Sequence, residues 1–157
     1  MTTIYDYDRK QRLGMPEAVF CEGKDSLSLN AILAELTLRD DHPTLFTRLY
    51  QPAFDCLDPS LTEALDYDPL SGTAILHGVL PAKPGKVAVV TAGTSDLRVA
   101  RVASRTLAFK GIHHTLFCDI GVAGLWRLLE RIDEVRQHDV VIVAAGMDAA
   151  LASVMGG

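Results

Sequence analysis

Three short segments of the chain combine glycine with hydroxyl or carboxylate side chains, and such segments can hold a phosphate-bearing ligand. They are Thr91–Asp96, Asp119–Gly124 and Ala145–Asp148. Glycine lets backbone N–H groups approach a ligand closely, and a helix that begins at such a turn adds unpaired N–H donors and about half a positive charge. The predicted binding residues are Ala92, Gly93, Thr94, Ser95, Asp96, Asp119, Gly121, Val122, Ala123, Gly124, Gly146, Met147 and Asp148.

Asp96 is the candidate catalytic residue. A carboxylate repels phosphate, so Asp96 is better suited to a ribose hydroxyl, a cation or a proton-transfer step. Helix capping by Thr94 or Ser95 is the competing interpretation of this turn. The repetition of glycine turns favours a ligand site, although neither the P-loop spacing nor the full dinucleotide-binding glycine pattern is present.

Three strand–turn–helix repeats must position these turns. The unbroken apolar run Val87–Val90 predicts a strand that is covered on both faces, and Ile112–Cys118 and Val140–Ala144 are interpreted as the second and third strands. A repeated strand–turn–helix pattern predicts an α/β fold with a parallel, doubly wound, three-layer sheet. Because ligands bind at the carboxyl ends of such strands, the three turns are expected to share one edge of the sheet.

The helices of this part are predicted from apolar residues at helical spacing. The first helix has Leu97, Ala100, Ala103 and Leu107 on one face, and the second has Leu125, Leu128, Leu129 and Ile132. Cys118 is expected to be a packed thiol at a strand end, since the negative charge of Asp119 discourages thiolate formation. Trp126 is expected in a core or an interface.

Residues 1–83 are predicted to form a small α/β region in front of the sheet domain, which takes residues 84–157. Proline and glycine in Leu80–Lys86 indicate a linker. The expected elements are strands at Ala18–Cys21, Thr44–Leu49 and Thr73–Leu76, a helix at Ser26–Leu38, and a polar arm from Tyr5 to Arg12.

Composition excludes several classes of protein. Of the 157 residues, 48% are hydrophobic and 22% are charged, which is typical of a globular domain. The net charge of −5 and the lack of a basic run argue against nucleic acid as a partner. No apolar run reaches the roughly 20 residues of a membrane span. Three widely spaced cysteines and a polar N-terminus predict a cytoplasmic protein.

Four blocks of the sequence, in order, resemble the LarB family of nickel-pincer cofactor biosynthesis. They read RLGMPEAVFCEGK, VAVVTAGTSDLRVA, CDIGVAGLWRLL and VVIVAAGMDAALASVMGG. The resemblance implies that the second part is similar to PurE, the aminoimidazole ribonucleotide carboxylase of purine synthesis. In that comparison this chain supplies the N-terminal part of the PurE-like domain.

The resemblance also implies a reaction. LarB proteins carboxylate the pyridinium ring of nicotinic acid adenine dinucleotide, with carbon dioxide or bicarbonate as co-substrate, and hydrolyse its phosphoanhydride to release AMP. Thr94, Ser95 and Asp96 would bind the phosphate or ribose, and the turns Gly121–Gly124 and Gly146–Asp148 would line the ring site. No tightly bound cofactor is expected, although Mg²⁺ could bind the pyrophosphate near Asp96 or Asp119. By analogy with PurE we expect a homo-oligomer.

Alternatives remain open at this level. The nucleophilic cysteine of the LarB family has no match among Cys21, Cys56 and Cys118. The chain is therefore expected to be an N-terminal fragment, or else a shortened relative that binds nucleotide without carboxylating it. The other two hypotheses are a PurE-type carboxylase or mutase and a non-catalytic nucleotide-binding module.

Overall fold

The computed structural model describes residues 4–146 and 148–157. The chain divides into two compact units, one that ends at Leu80 and one that begins at Pro81. Within the described residues, none of the helices has the length and apolar character that a membrane span needs.

The first unit is built on a mixed four-stranded sheet. Its elements in chain order are α1 Arg9–Leu13, β1 Ala18–Phe20, α2 Ser26–Thr37, β2 Thr44–Thr47, α3 Gln51–Phe54, α4 Pro59–Thr62, β3 Leu65–Asp68 and β4 Thr73–Leu76. The strand order is β1-β2-β4-β3, in which β1 and β2 are parallel and the other neighbours are antiparallel.

Helix α2 supplies one side of the core of this unit. The Asp25 carboxylate accepts a hydrogen bond from the backbone N–H of Ser28 at 2.7 Å, which satisfies a free donor at the start of the helix. The buried face of α2 then packs against residues of the sheet. This core includes Val19, Leu29, Ile32, Leu33, Leu36, Phe46 and Leu76.

Two features of the first unit differ from the sequence prediction. Strand β3 was not predicted, because its sequence Leu65-Asp66-Tyr67-Asp68 alternates with charges and forms the edge of the sheet. The expected polar arm is also wrong, since Tyr5 and Tyr7 pack against the core. The Tyr5 hydroxyl donates to the carbonyl oxygen of Glu17 at 2.7 Å.

The second unit is built on a parallel sheet. Its elements are β5 Lys83–Thr91, α5 Leu97–Phe109, β6 Ile112–Phe117, α6 Leu125–Leu129, α7 Ile132–Val135, β7 Val140–Ala144 and α8 Ala150–Gly156, with 3₁₀ turns at Thr94–Asp96 and Val122–Gly124. The strand order is β6-β5-β7, and both neighbours run parallel to β5. The chain thus builds outward from β5 in both directions, which confirms the predicted doubly wound α/β fold.

The central strand β5 is buried on both faces because its residues alternate between two cores. One core contains Val87, Val89, Ala100, Leu107 and Ala144, and the other contains Ala88, Val90, Phe117, Ile120, Leu128, Val135 and Leu151. Helix α5 therefore covers one face, and α6, α7 and α8 cover the other.

Two predictions for this unit are corrected. The expected linker joins the sheet from Lys83 onward, because the backbone N–H of Lys83 donates to Gly111 and that of Lys86 donates to the Asp139 carboxylate. The expected single helix is broken into α6 and α7, so its apolar residues do not share one face. Leu128 is buried, whereas Leu125 and Leu129 are 49% and 61% exposed.

Candidate functional site

A cleft of about 490 Å³ lies at the carboxyl ends of the parallel strands. All three glycine turns border it, as expected for an open parallel sheet. The predicted residues that line it are Ala92, Gly93, Ser95, Asp96, Gly121, Val122, Ala123, Gly146 and Asp148. Thr94, Asp119 and Gly124 are not among its lining residues, and Met147 lies outside the described residues.

Asp96 lies between the first and third turns. Its Oδ2 accepts a hydrogen bond from the backbone N–H of Gly93 at 2.9 Å, and its own N–H donates to the carbonyl oxygen of Gly93 at 3.2 Å. The other oxygen, Oδ1, faces Gly146, where a Cβ atom would lie 3.7 Å away. One carboxylate oxygen therefore fixes the side chain while the second borders the cleft.

This geometry replaces the helix cap that the sequence suggested. Neither Thr94 nor Ser95 makes a side-chain hydrogen bond as a cap, because the helix begins with a 3₁₀ turn at Thr94–Asp96. Gly93 precedes that turn in an extended conformation, with φ −139° and ψ 178°. The Asp96 side chain takes over the capping contact by reaching back to Gly93.

The first and second turns are held together through the end of β5. Thr91 is fully buried, and its Oγ1 accepts a hydrogen bond from the Asp119 N–H at 2.9 Å. Its carbonyl oxygen accepts another from Ile120 at 3.1 Å. Gly121 approaches Ala92 so closely that a Cβ atom there would lie 2.5 Å from the Ala92 carbonyl oxygen. Glycine at 121 is therefore required by backbone packing.

Arg127 lines the cleft and was missed by the sequence analysis. Its Nη1 donates to Asp119 Oδ2 at 2.6 Å, so Asp119 engages this arginine. The guanidinium occupies the space beside Gly124, where a Cβ atom would lie 2.7 Å from Arg127 Nε. No motif marks this pairing, but an arginine three residues after the glycine of a turn faces back toward it on the new helix.

Among the described residues, candidate metal ligands do not cluster, and the cysteines differ in exposure. Residues 4–146 and 148–157 contain no group of three or more His, Cys, Asp or Glu side chains that could hold a metal ion. The expectation of a packed thiol at Cys118 is wrong, because this cysteine is exposed at the end of β6. Cys21 is the buried one, and burial raises its pKa to about 11.

Trp126 is not a core residue, because it is 62% exposed, and its expected place in an interface remains a prediction. Helix α6 ends at Leu129, and its buried residue is Leu128, which is 1% exposed. Trp126 follows Leu125 on the outer side of the helix, and both are open to solvent.

Comparison with known proteins identifies the first unit most directly. The family model of the LarB/PurE-like N-terminal domain matches residues 2–78. The uncharacterized protein MJ0165 of Methanocaldococcus jannaschii is 33% identical over 159 aligned residues, which cover 96% of this chain and 61% of that protein. This chain therefore spans less than two thirds of that relative, and the similarity includes both of its units. These matches make the chain LarB-like, with residues 2–78 as its LarB/PurE-like N-terminal domain.

Proposed function

We propose that the cleft binds nicotinic acid adenine dinucleotide and that the chain takes part in carboxylating its pyridinium ring, with hydrolysis of the phosphoanhydride to release AMP. The observation that carries this proposal is the position of Asp96, whose Oδ1 borders a cleft formed by glycine turns in a LarB-like chain. A volume of about 490 Å³ is within the range of about 300–1,000 Å³ that is usual for small-molecule and cofactor pockets.

The chemistry explains what a carboxylate would do there. A pyridinium ring is electron-poor, so a nucleophile must first add to it and make it enamine-like. The enamine carbon then forms a bond to carbon dioxide. Loss of the proton from that carbon and departure of the nucleophile restore the aromatic ring. Asp96 is suited to accept that proton, since Gly93 fixes its other oxygen.

The thiol nucleophile that the family resemblance implies is not found among the described residues that line the cleft. Cysteine is absent from the described residues that line it. We therefore assign ligand binding and proton transfer to the cleft, and the covalent step to a residue outside its described lining.

Calorimetry and product analysis test the proposal on the full chain. We expect nicotinic acid adenine dinucleotide to bind, and aminoimidazole ribonucleotide to bind at least tenfold more weakly, a difference of about 1.4 kcal/mol. Incubation with ¹³C-bicarbonate, followed by mass spectrometry, checks for a carboxylated pyridinium mononucleotide and AMP. Failure of the dinucleotide to bind would overturn the proposal. Preference for the imidazole ribotide would favour the PurE-type reaction, which the shared family description also covers.

A further inference from the structure

The charges in the cleft are unfavourable for an anionic ligand except at one side chain. Asp96 and Asp148 both border it, and both repel phosphate or carboxylate groups. Arg127 is the cationic side chain among the described lining residues. An anion that enters this cleft is therefore best stabilised beside Arg127.

The Arg127 guanidinium is held in place from outside the cleft. Asp119 accepts from Nη1 at 2.6 Å and does not itself line the cleft. Gly124 lacks the side chain that would displace the guanidinium. The hydrogen bond to Asp119 therefore holds the guanidinium in the space that Gly124 leaves open, and Nε is left without a protein acceptor in the described part of the chain.

The unused donors are a second observation. Arg127 Nε is buried and has no hydrogen-bond partner in the described part of the chain. A buried donor without a partner is costly, and such donors are usually satisfied by a water molecule or a ligand. The planar guanidinium still has N–H groups that match the two oxygens of a carboxylate or a phosphate.

We infer that Arg127 binds an oxyanion of the ligand in this cleft, and that Asp119 and Gly124 are positioning residues that act through it. The chemical class is a carboxylate or a phosphoryl group. The inference rests on the proposed function only for the identity of the ligand. In that ligand the oxyanion is either the ring carboxylate of nicotinic acid or a phosphate of the nucleotide.

Nucleotides with and without a ring carboxylate distinguish the two oxyanions that Arg127 could bind. Calorimetry is carried out on the full chain with nicotinic acid mononucleotide, nicotinamide mononucleotide and inorganic pyrophosphate. We expect Arg127→Met to lower the affinity for nicotinic acid mononucleotide by roughly tenfold or more, as for the loss of a charge-assisted hydrogen bond. If Arg127 binds the ring carboxylate, the affinity for nicotinamide mononucleotide stays unchanged. If Arg127 binds phosphate, the substitution lowers the affinity for both nucleotides by the same factor.

Controls keep the inference separate from folding. Arg136→Met removes an exposed arginine that pairs with Asp133 at 3.4 Å, and we expect it to leave all affinities unchanged. If the melting temperature of Arg127→Met is well below that of the wild type, Arg127→Gln is used instead, because glutamine keeps an N–H donor and loses the charge. A folded Arg127 variant that binds both nucleotides as wild type does would overturn the inference and leave the proposed function intact.

The inference about Arg127 can also be tested if the proposed function fails. If nicotinic acid adenine dinucleotide does not bind to the wild-type chain, the proposed function fails and pyrophosphate becomes the probe. Pyrophosphate binding that is lost in Arg127→Met would then support the inference by itself. If the substitution leaves the affinity for pyrophosphate unchanged, or if pyrophosphate does not bind at all, the inference about Arg127 is overturned as well.

Discussion

Gly121 and Ala92 touch backbone to backbone, so that a Cβ atom at position 121 would lie 2.5 Å from the Ala92 carbonyl oxygen. These residues belong to turns that follow neighbouring strands, β6 and β5. The contact sets the distance between the two turns and therefore the width of the cleft at this point. It also explains why the second turn needs glycine at a position whose φ of −67° is open to any residue.

Gly121→Ala is therefore expected to destabilise the chain. The new methyl group has to displace backbone atoms, and overpacking of this kind costs about 1–3 kcal/mol. Denaturant unfolding measures the loss. Gly156→Ala is the matched control, because nothing lies within 4 Å of its new methyl group. The control should change stability by less than about 1 kcal/mol. Equal effects at both positions would contradict the importance of the Gly121 contact.

Gly124→Ala is expected to lower ligand affinity without loss of the fold. The new Cβ atom would meet the guanidinium of Arg127, which is the end of a side chain that can move away. Melting temperature should stay close to wild type while affinity falls, as it does in Arg127→Met.

A double-mutant cycle shows whether Gly124 acts through Arg127. If it does, adding Gly124→Ala to Arg127→Met causes no further loss of affinity, since the shared interaction is already gone. Additive losses, measured by the same calorimetry, would show that the Gly124 substitution acts independently of Arg127. A drop in melting temperature alone would reduce Gly124 to a structural role.

Asp96→Asn should separate catalysis from binding. Asparagine can still accept the hydrogen bond from Gly93, so the turn keeps its geometry. It cannot serve as a general base, and loss of such a group typically slows a reaction by about 10²–10⁴-fold. Ligand affinity should stay level or rise, because one negative charge leaves the cleft.

The measurement for Asp96→Asn is incorporation of ¹³C-bicarbonate beside a binding titration. Asp133→Asn, an exposed carboxylate on α7, is the control and should change neither quantity. Full turnover in Asp96→Asn would remove Asp96 from the proton-transfer step, whatever happens to affinity.

The three cysteines should react at different rates with iodoacetamide. Cys56 and Cys118 are exposed, whereas burial raises the pKa of Cys21 to about 11. The thiolate is the reactive form, so at pH 8 Cys21 remains protonated and shielded. Peptide mass spectrometry should find Cys56 and Cys118 alkylated first. Labelling of Cys21 at the same rate would show that the core around it opens readily.

Much of the site could be predicted because glycine turns after apolar strands have a consistent position in parallel sheets. Nine of the predicted binding residues line the cleft for this reason. Arg127 could not be predicted in the same way, because its position depends on the 3₁₀ turn Val122–Gly124 and on a contact with Asp119. Neither leaves a periodic pattern in the sequence.

The fold shows the same division between periodic and local features. The central strand β5 was predictable from its apolar run, since both of its faces are buried, and β6 and β7 from their places in the repeated strand–turn–helix pattern. Strand β3 was not, because Asp66 and Asp68 are unusual in strands and are tolerated here at a sheet edge. The core contacts of Tyr5 and Tyr7 depend on tertiary packing that a polar sequence conceals.

The peptide between Thr91 and Ala92 joins all three strand ends. Thr91 accepts hydrogen bonds from the turn after β6, and the Ala92 N–H donates to the carbonyl oxygen of Ala144 at the end of β7 at 3.1 Å. The floor of the cleft therefore exists only when both crossovers have closed around β5. A ligand of this cleft therefore binds the folded second unit and has no affinity for the unfolded one. At one hundred times its dissociation constant it should stabilise that unit by about 2.7 kcal/mol, so the melting temperature of the chain becomes a direct measure of occupancy.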